Sequence, residues 1–260
     1  RNHRKIVVCD GDYAMIGGMN IGDEYRHMHP VLTPWRDTGL AMRGPVVQAV
    51  QLSFAEDWYW ATESLPPLNW TPTVSSDADM QMLMVGTGPA DNVESCALFF
   101  ESLIHQARER LWIVSPYFVP DVAIIHALQL AAMRGVDVRI MLPELADKHS
   151  IKLSSFPAIR ETLPQGVQFY YYQRGFLHQK VLLVDDDIAS VGTANLDNRS
   201  FRLNFEISAV IYDQDFAQEL ADMLQQDFQL CRQLLPAEEA KWSLLRRLLS
   251  RCAYLFAPLQ

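Results

Sequence analysis

The sequence FLHQKVLLVDDDIASVGTAN, residues 176–195, decides the fold of this chain. It places His178 and Lys180 at the head of an apolar run, which turns at Asp186 and Asp187 into a second apolar run. Two short apolar runs joined by a polar turn predict a β-hairpin. Because residues two apart on a strand point to the same side, His178 and Lys180 should face one site.

The same pattern recurs near the start of the chain in HRKIVVCDGDYAMIGGMN, residues 3–20. Both copies fit H-x-K-x4-D-x6-G-x-x-N without a gap. The first copy also predicts strand, turn and strand, with the turn at Gly11 and Asp12. Because the copies begin at residues 3 and 178, they indicate two domain-sized units rather than an array of short repeats.

The repeated residue types define a chemistry. The pattern brings together two imidazoles, two ammonium groups and two amides from His3, Lys5, Asn20, His178, Lys180 and Asn195. One imidazole can attack phosphorus while the other protonates the leaving oxygen. Lysines and amides can hold the non-bridging oxygens as negative charge builds, so Asn20 and Asn195 are expected to bind the substrate phosphate. This set supplies nucleophile, acid and cations from the protein, and we expect neither a metal nor a cofactor.

Both motifs resemble the HKD signature of the phospholipase D superfamily. Longer stretches resemble its bacterial cardiolipin synthases: RNHRKIVV, PWRDTGLAMRGP, SPYFVPD, GFLHQKVLLVDD and VGTANLDNRSFRLNFEI. The resemblance implies an α/β fold of two phospholipase D-like lobes that share one active site. Each lobe would be a mixed β-sheet flanked by helices, with the first lobe incomplete in this chain. One departure is Gly18, which stands where Ser or Thr is usual in the family.

The resemblance also implies roles for the two histidines and for two later acids. His3 is expected to be the nucleophile, and His178 the general acid. Asp37 in PWRDT and Glu206 in NFEIS are expected to orient the histidine of the opposite lobe, so that Glu206 holds His3 and Asp37 holds His178. The alternative for each acid is an ordinary surface or strand-end carboxylate.

The motif aspartates, Asp10 and Asp185, are grouped with the catalytic residues because the motif contains them. Their position after each strand nevertheless favours a role in stiffening the turn beneath each histidine over contact with substrate.

The activity implied is phosphatidyl transfer, in which two phosphatidylglycerol molecules give cardiolipin and glycerol through a phosphatidyl-histidine. Two alternatives stay open: a phospholipase D-type phosphodiesterase that uses water, and transfer to a different alcohol. The expected partners are the anionic lipid phosphatidylglycerol and a membrane surface, at the bacterial cytoplasmic membrane through an anchor outside this chain. A net charge of -9 disfavours a nucleic-acid partner. The oligomeric state is left open.

Three segments follow from composition and periodicity. Residues 1–75 are expected to be the later part of the first lobe, 76–235 the second lobe, and 236–260 an amphipathic tail. The Pro-, Ser- and Thr-rich stretch 62–79 is the predicted linker between the lobes. Helical periodicity is predicted for residues 93–110, 121–135 and 213–235, with strands between them.

The tail KWSLLRRLLSRCAYLFAPL, residues 241–259, has a broad apolar face opposed by three arginines on a helical wheel. It fits either an interfacial helix on an anionic membrane or a helix packed on its own domain. DKHS, residues 147–150, follows a predicted strand and is either part of the head-group site or a plain loop. Arg199 and Arg202 either assist anion binding or pair with surface acids.

Overall fold

A computed structural model describes residues 1–74, 79–240 and 242–259 of the chain. Fifteen strands, β1 to β15 in chain order, are described: Ile6–Cys9, Tyr13–Gly17, Trp35–Arg36, Gly39–Arg43, Gln81–Thr87, Arg110–Val114, Phe118–Val119, Asp137–Pro143, Gln168–Tyr172, Phe176–Leu177, Val181–Val184, Ile188–Gly192, Leu196–Asp197, Glu206–Tyr212 and Cys231–Gln233. Eight α-helices, α1 to α8, are described: Val46–Thr62, Ser95–Gln106, Val122–Met133, His149–Thr162, Asn198–Arg202, Gln214–Gln229, Pro236–Ala240 and Leu244–Tyr254.

The second hairpin lies in the middle of an eight-stranded mixed sheet with the order β15-β9-β8-β6-β11-β12-β14-β5. Strands β6, β8 and β9 run parallel, and the strands on either side of this group pair antiparallel. All four residues of β11 are buried. Leu182 and Val184 belong to the core under α2, α3 and α4, whereas Val181 and Leu183 belong to a second core on the other face. Burial on both faces explains why the strand is apolar throughout rather than alternating.

The first hairpin belongs to a separate three-stranded antiparallel sheet, β1-β2-β4. Its inner face packs Ala14, Ile16 and Met42 into the second core, against Val191 and Ala209 of the large sheet. The two copies of the motif therefore lie on two sheets that share one apolar core. The mixed α/β architecture and the two motif-bearing sheets agree with the predicted fold class.

Several predicted elements lie where the sequence placed them. The predicted helix 121–135 is α3, capped by the Asp121 carboxylate, which accepts a hydrogen bond from Ile124 N at 3.0 Å. Gly135, just after the helix, has φ +92, a backbone conformation that favours glycine. The predicted turn at Asp186 and Asp187 joins β11 to β12 in the register Val184↔Ile188.

The helix predicted for residues 213–235 is wrong at its C-terminal end. Helix α6 ends at Gln229, and Cys231–Gln233 forms the edge strand β15, paired with β9. Leu230 leaves the helical region with φ -93 and ψ 8, and the following strand buries Leu234. A tertiary strand pairing therefore overrides the helical periodicity of the sequence.

The predicted boundary between the first two segments, at residues 75 and 76, lies outside the described residues. Within the predicted linker 62–79, Thr62 is the last residue of α1, and the other described residues, 63–74 and 79, have neither helix nor strand. Asn69 within it anchors the first hairpin, because its Nδ2 donates to Asp10 O at 2.9 Å. Within the described residues, no helix combines the length and the apolar character needed to cross a membrane.

Candidate active site

Two short parallel pairings between the lobes build the site. In the first, β10 pairs with β3, and the His178 backbone N–H donates to Arg36 O at 2.8 Å. In the second, Asn2 pairs with Phe205, and the His3 N–H donates to Phe205 O at 2.9 Å. In both pairings the bonded carbonyl belongs to the residue immediately before the predicted orienting acid. The same type of backbone hydrogen bond therefore brings each histidine beside an acid from the other lobe.

The predicted histidine–carboxylate pairs are formed. His3 Nδ1 lies 2.8 Å from Glu206 Oε2, and His178 Nδ1 lies 2.9 Å from Asp37 Oδ2. Both carboxylates are almost fully buried, with side-chain exposures of 1% for Glu206 and 2% for Asp37. Lys180 Nζ also lies 3.0 Å from His178 Nδ1, so the tautomer is assigned from the carboxylate in each pair: a carboxylate oxygen accepts hydrogen bonds, and a neutral imidazole bonded to it carries its hydrogen on Nδ1. This assignment leaves each Nε2 as the reactive nitrogen.

The motif lysines make the same contact in both copies of the motif. Lys5 Nζ donates to His3 O at 2.7 Å, and Lys180 Nζ donates to His178 O. Burial lowers the pKa of Lys5 to about 8, against the opposing attraction of Glu206. Burial likewise lowers the pKa of Lys180 to about 8, against the attraction of Asp37. Both side chains remain mostly protonated at neutral pH, as desolvated cations beside the histidines.

Both histidines open on one cavity of about 580 Å³ between the lobes. Its wall includes the motif amides Asn20 and Asn195 and the cations Lys148 and Arg199. Asn195 is buried, and its Oδ1 has no hydrogen-bond partner among the described residues. That amide is thus available to a bound ligand. The cavity has the volume of an ordinary ligand site and offers it hydrogen-bond donors and positive charge.

His178 is neutral at pH 7. Burial lowers its pKa to about 4, with a further contribution from the Lys180 ammonium, whereas Asp37 acts in the opposite direction. Trp35 and Phe176 supply much of this burial, with ring centroids 4.9 Å and 5.9 Å from the imidazole. The anion of a bound substrate would oppose the effects of burial and of Lys180.

The two acids differ in how they are held. Glu206 accepts hydrogen bonds from Thr193 Oγ1 at 2.6 Å, Ser200 Oγ at 2.8 Å and Asn204 Nδ2 at 3.0 Å, besides the His3 bond. Three donors besides the imidazole fix the orientation of this carboxylate.

Asp37 has fewer donors. Besides His178, it accepts from Thr38 N at 2.9 Å and, at 3.4 Å, from the Trp35 indole. Gly18, the counterpart of Thr193 in the first motif, offers no side chain. Its backbone lies so close to Asp37 that an added Cβ would be 2.7 Å from Oδ2. The Asp37 carboxylate therefore occupies the space that a Ser or Thr side chain at position 18 would fill.

The structure does not bring Asp10 and Asp185 to the cavity. Each follows the end of its strand opposite the histidine, in a turn with φ 55 for Asp10 and φ 50 for Asp185. The Asp185 carboxylate accepts backbone N–H bonds from Arg108, Glu109 and Arg110, which fixes the loop before β6. Both lie in the turn beneath their hairpin and outside the cavity wall, as their position after each strand favours. Their assignment as catalytic residues stays a prediction.

The other candidate residues divide between the cavity and the surface. Asp147, Lys148 and Ser150 of DKHS line the cavity. Arg199 also lines it, whereas Arg202 forms ion pairs with Glu94 at 2.9 Å and with Asp121 at 3.6 Å.

The loop between β2 and β3 contributes residues that the sequence did not single out. Tyr25 lines the cavity, and its hydroxyl accepts from Asn20 Nδ2 at 2.7 Å. His27 and His29 shape this loop, since their Nδ1 atoms accept from Trp35 N and Leu32 N. No cluster of three or more His, Cys, Asp or Glu side chains suited to a metal ion occurs among the described residues.

Comparison with known proteins agrees with this geometry. Residues 100–228 match the family profile described as cardiolipin synthase, PLD-like domain. Cardiolipin synthase A from Pseudomonas putida (strain KT2440) is 49% identical over the whole of this chain and 54% of its own length. Cardiolipin synthase A from Pseudomonas aeruginosa (strain LESB58) is 50% identical, with 53% of its length covered. The chain spans about half the length of the curated relatives it matches.

Two solved structures share the fold. Phosphatidylserine synthase from Haemophilus influenzae superposes with a TM-score of 0.75 over 99% of this chain and 69% of its own, at 17% sequence identity. The phospholipase D family member Nuc from Salmonella typhimurium superposes with a TM-score of 0.52 over 60% of this chain and 99% of its own, at 21% identity. Together with the duplicated motif and the shared cavity, these matches show that residues 100–228 resemble a PLD-like domain and that the chain shares its fold with the two solved structures.

Proposed function

We propose that this chain forms the catalytic centre of a phosphatidyl transferase that condenses two phosphatidylglycerol molecules into cardiolipin and glycerol. One observation carries the proposal: two histidines, each held by an acid from the opposite lobe and each with a motif lysine bonded to its carbonyl, open on one cavity. The half-length match to cardiolipin synthases at about 50% identity supports the choice of reaction.

In the proposed first step, His3 Nε2 attacks phosphorus of the first phosphatidylglycerol. A nitrogen–phosphorus bond forms, and the bond from phosphorus to the head-group glycerol oxygen breaks. His178, protonated when the anionic phosphodiester is bound, gives its proton to that oxygen and free glycerol departs. Glu206 stabilises the positive charge that develops on the His3 imidazole.

In the proposed second step, the head-group hydroxyl of another phosphatidylglycerol attacks the phosphatidyl-histidine. Neutral His178 accepts the hydroxyl proton, the new phosphorus–oxygen bond forms, and the bond to His3 Nε2 breaks. Cardiolipin leaves, and both histidines regain their starting protonation states. Lys5 and Lys180 stabilise the non-bridging oxygens in both steps, with Asn20 and Asn195 as further donors.

The proposed substrate is an anionic phospholipid, and the proposed location is the bacterial cytoplasmic membrane. Four cations support an anionic substrate despite the acidic chain: Lys148 and Arg199 line the cavity, and Lys5 and Lys180 are bonded to the carbonyls of the two histidines. We further propose that the site needs no divalent metal, since the protein supplies the nucleophile, the acid and the cations.

The test uses the full-length protein and phosphatidylglycerol labelled separately in its acyl chains and in its head-group glycerol. We expect one labelled glycerol released for each cardiolipin formed, in the presence or absence of a chelator. His178→Asn should abolish turnover, whereas His105→Asn, an exposed helix histidine, should leave it unchanged. Phosphatidic acid as the only lipid product would replace the proposal with a hydrolase. No product from phosphatidylglycerol would overturn it.

A further inference from the structure

Helix α8 is oriented with its apolar face outward. Arg246 points towards the protein, with its guanidinium 4.1 Å from the Phe156 ring centroid and 4.5 Å from that of Trp242. Ser250, one turn further along the same face, is buried. Exposed apolar side chains cover the opposite face and the turn that follows: Leu244, Leu245, Leu248, Leu249, Leu255 and Phe256.

The helix packs against α4 through the face that carries Arg246 and Ser250, as one of the two interpretations of the tail expects. Its leucines are not buried by that contact, since Leu244 is 83% exposed and Leu255 is 79% exposed. Stacking of Arg246 on two aromatic rings holds the arginine side of the helix against the protein and leaves the leucine side facing solvent. A contiguous apolar surface held outward in this way marks a binding site for a membrane or a protein.

The outward face is continuous with the candidate active site. Leu259, in the turn after α8, lines the cavity together with the two histidines. The Arg199 guanidinium donates to Leu259 O at 3.4 Å and holds this turn at the rim. Leu255 and Phe256, one turn earlier, are exposed beside it.

The loop between β2 and β3 forms another part of the cavity rim and also exposes apolar side chains. Its Tyr25, His29 and Leu32 line the cavity, and side chains adjacent in sequence are directed to solvent. The exposed apolar residues of this loop are Met19, Ile21, Met28 and Val31, of which Ile21 is 108% exposed. Two segments far apart in sequence thus place exposed apolar side chains around one cavity.

Positive charge is concentrated on the helix segment although the chain as a whole carries -9, because residues 242–259 contain Arg246, Arg247 and Arg251 and no acid. Arg251 is exposed, as are Lys148 and Arg199 at the cavity wall, whereas the loop balances Arg26 with Asp23 and Glu24. Apolar side chains flanked by Arg and Lys are typical of segments that lie in the interface of an anionic membrane.

We propose that helix α8 and the loop residues Met19–Val31 form a docking surface for an anionic phospholipid bilayer, which holds the cavity mouth at the level of the lipid head groups. The proposal rests on the proposed function in taking a membrane lipid as substrate. Extracting a lipid from the bilayer is unfavourable, because each CH₂ group of its acyl chains moves into water. A docked rim avoids that cost, because only the head group enters the cavity while the acyl chains stay in the bilayer.

The first test measures insertion directly, with the full-length protein in vesicles of phosphatidylglycerol and phosphatidylethanolamine. Cys9 and Cys252 are replaced by Ser, and an environment-sensitive fluorophore is attached to Leu248→Cys or, as control, to Leu98→Cys, an exposed position on α2. Lipids brominated in their acyl chains should quench the probe at position 248 and leave the probe at 98 bright. Absence of quenching at 248 would overturn the proposal. Self-quenching between two labelled copies, without lipid quenching, would instead assign the surface to a second copy of the chain.

The second test separates docking from chemistry. Leu244→Ser combined with Leu248→Ser, and separately Ile21→Ser, should lower transfer from vesicle phosphatidylglycerol about tenfold or more. The same variants should act within twofold of the unmodified protein on a short-chain, monomeric phosphatidylglycerol. The control Leu130→Ser, an exposed leucine on α3, should change neither rate. Equal losses on both substrates would overturn the docking surface. Inactivity of the unmodified protein on both would instead overturn the proposed function, while the quenching result would still decide on docking.

Discussion

Asp37 occupies the space that a side chain at Gly18 would require. A Cβ added to Gly18 would lie 2.7 Å from Asp37 Oδ2 and 2.8 Å from its Cγ, closer than real Cβ contacts allow. The corresponding position in the second lobe is Thr193, whose hydroxyl donates to Glu206 at 2.6 Å. The two lobes therefore hold their orienting acids differently. In one the Thr193 hydroxyl donates to Glu206, whereas in the other Gly18 leaves room for Asp37.

The first prediction concerns this glycine. In Gly18→Ala the added methyl should displace the Asp37 carboxylate and release His178 from its 2.9 Å hydrogen bond. Losses of about 10–100-fold are usual when an orienting partner is removed, and we expect kcat to fall within that range. Gly86→Ala is the matched control, because its Cβ would meet Ser53 Oγ at an ordinary 3.5 Å. Wild-type kcat in Gly18→Ala would show that Asp37 does not position His178.

The second prediction concerns the donors to Glu206. Ser200→Ala removes a 2.8 Å hydrogen bond from the carboxylate that holds His3, so formation of the covalent intermediate should slow about tenfold or more. The burst of glycerol release in a rapid-mixing experiment measures this step. Ser154→Ala is the control, since Ser154 is also buried but bonds only a helix carbonyl. An unchanged burst rate in Ser200→Ala would mean that the donors to Glu206 are only structural.

The third prediction separates stability from activity at Lys180. Its surroundings lower the pKa to about 8 despite the nearby acids, so the ammonium is held at a cost to folding. Lys180→Met should raise the thermal midpoint by a few degrees, equivalent to roughly 1–3 kcal/mol, while kcat falls by about two orders of magnitude. Lys148→Met, which removes an exposed ammonium, should leave the midpoint unchanged. A lower midpoint in Lys180→Met would indicate that the ammonium is a net stabiliser.

The fourth prediction concerns pH. The pKa of His178 is 6.5 when the chain is unfolded and about 4 in the folded site, so the unfolded chain binds more protons between these values. The stability contribution of the neutral imidazole is therefore complete above pH 6.5 and is lost as the pH falls towards 4, on the order of 3 kcal/mol in total. Urea unfolding of His178→Asn should show a correspondingly weaker decline in this range. Parallel declines in both proteins would contradict the lowered pKa.

Local sequence was sufficient to predict the two motif hairpins and helix α3, because turn residues, apolar runs and a capping aspartate act within a few residues. It did not predict β15 or β5, whose existence depends on partners far along the chain. Strand β5, for example, pairs with β14 from Gln81↔Tyr212 to Thr87↔Glu206. Its Met-rich sequence has little strand signature of its own.

The site likewise contains residues that local sequence predicts and contacts that it does not predict. His3, Lys5, His178 and Lys180 follow from spacing, whereas their pairing with acids across the lobes came only from the family resemblance. The parallel pairing of Leu177 with Arg36 that brings Asp37 to His178 joins residues of different lobes, and nothing local to either predicts it. Ser200 and Asn204 could have been suspected as polar residues within the buried stretch that ends at Glu206.

The outward orientation of α8 also lay beyond sequence reasoning. The helical wheel of the tail separates leucines from arginines but does not say which side faces the protein. Contact of Arg246 with Phe156 and Trp242 decides this.

The central claim is that the two lobes form one site, in which His3 carries the phosphatidyl group and His178 delivers the proton. The most direct measurement is mass analysis of the protein after a brief reaction with phosphatidylglycerol, quenched in alkaline denaturant because acid hydrolyses a phosphorus–nitrogen bond. The account predicts a phosphatidyl adduct on the peptide that contains His3, and none in His3→Ala. A phosphatidyl substrate with an acidic phenol as leaving group should restore the adduct in His178→Asn, because that group departs without a proton. An adduct on the peptide that contains His178, or rapid turnover with no adduct on either histidine, would contradict the account.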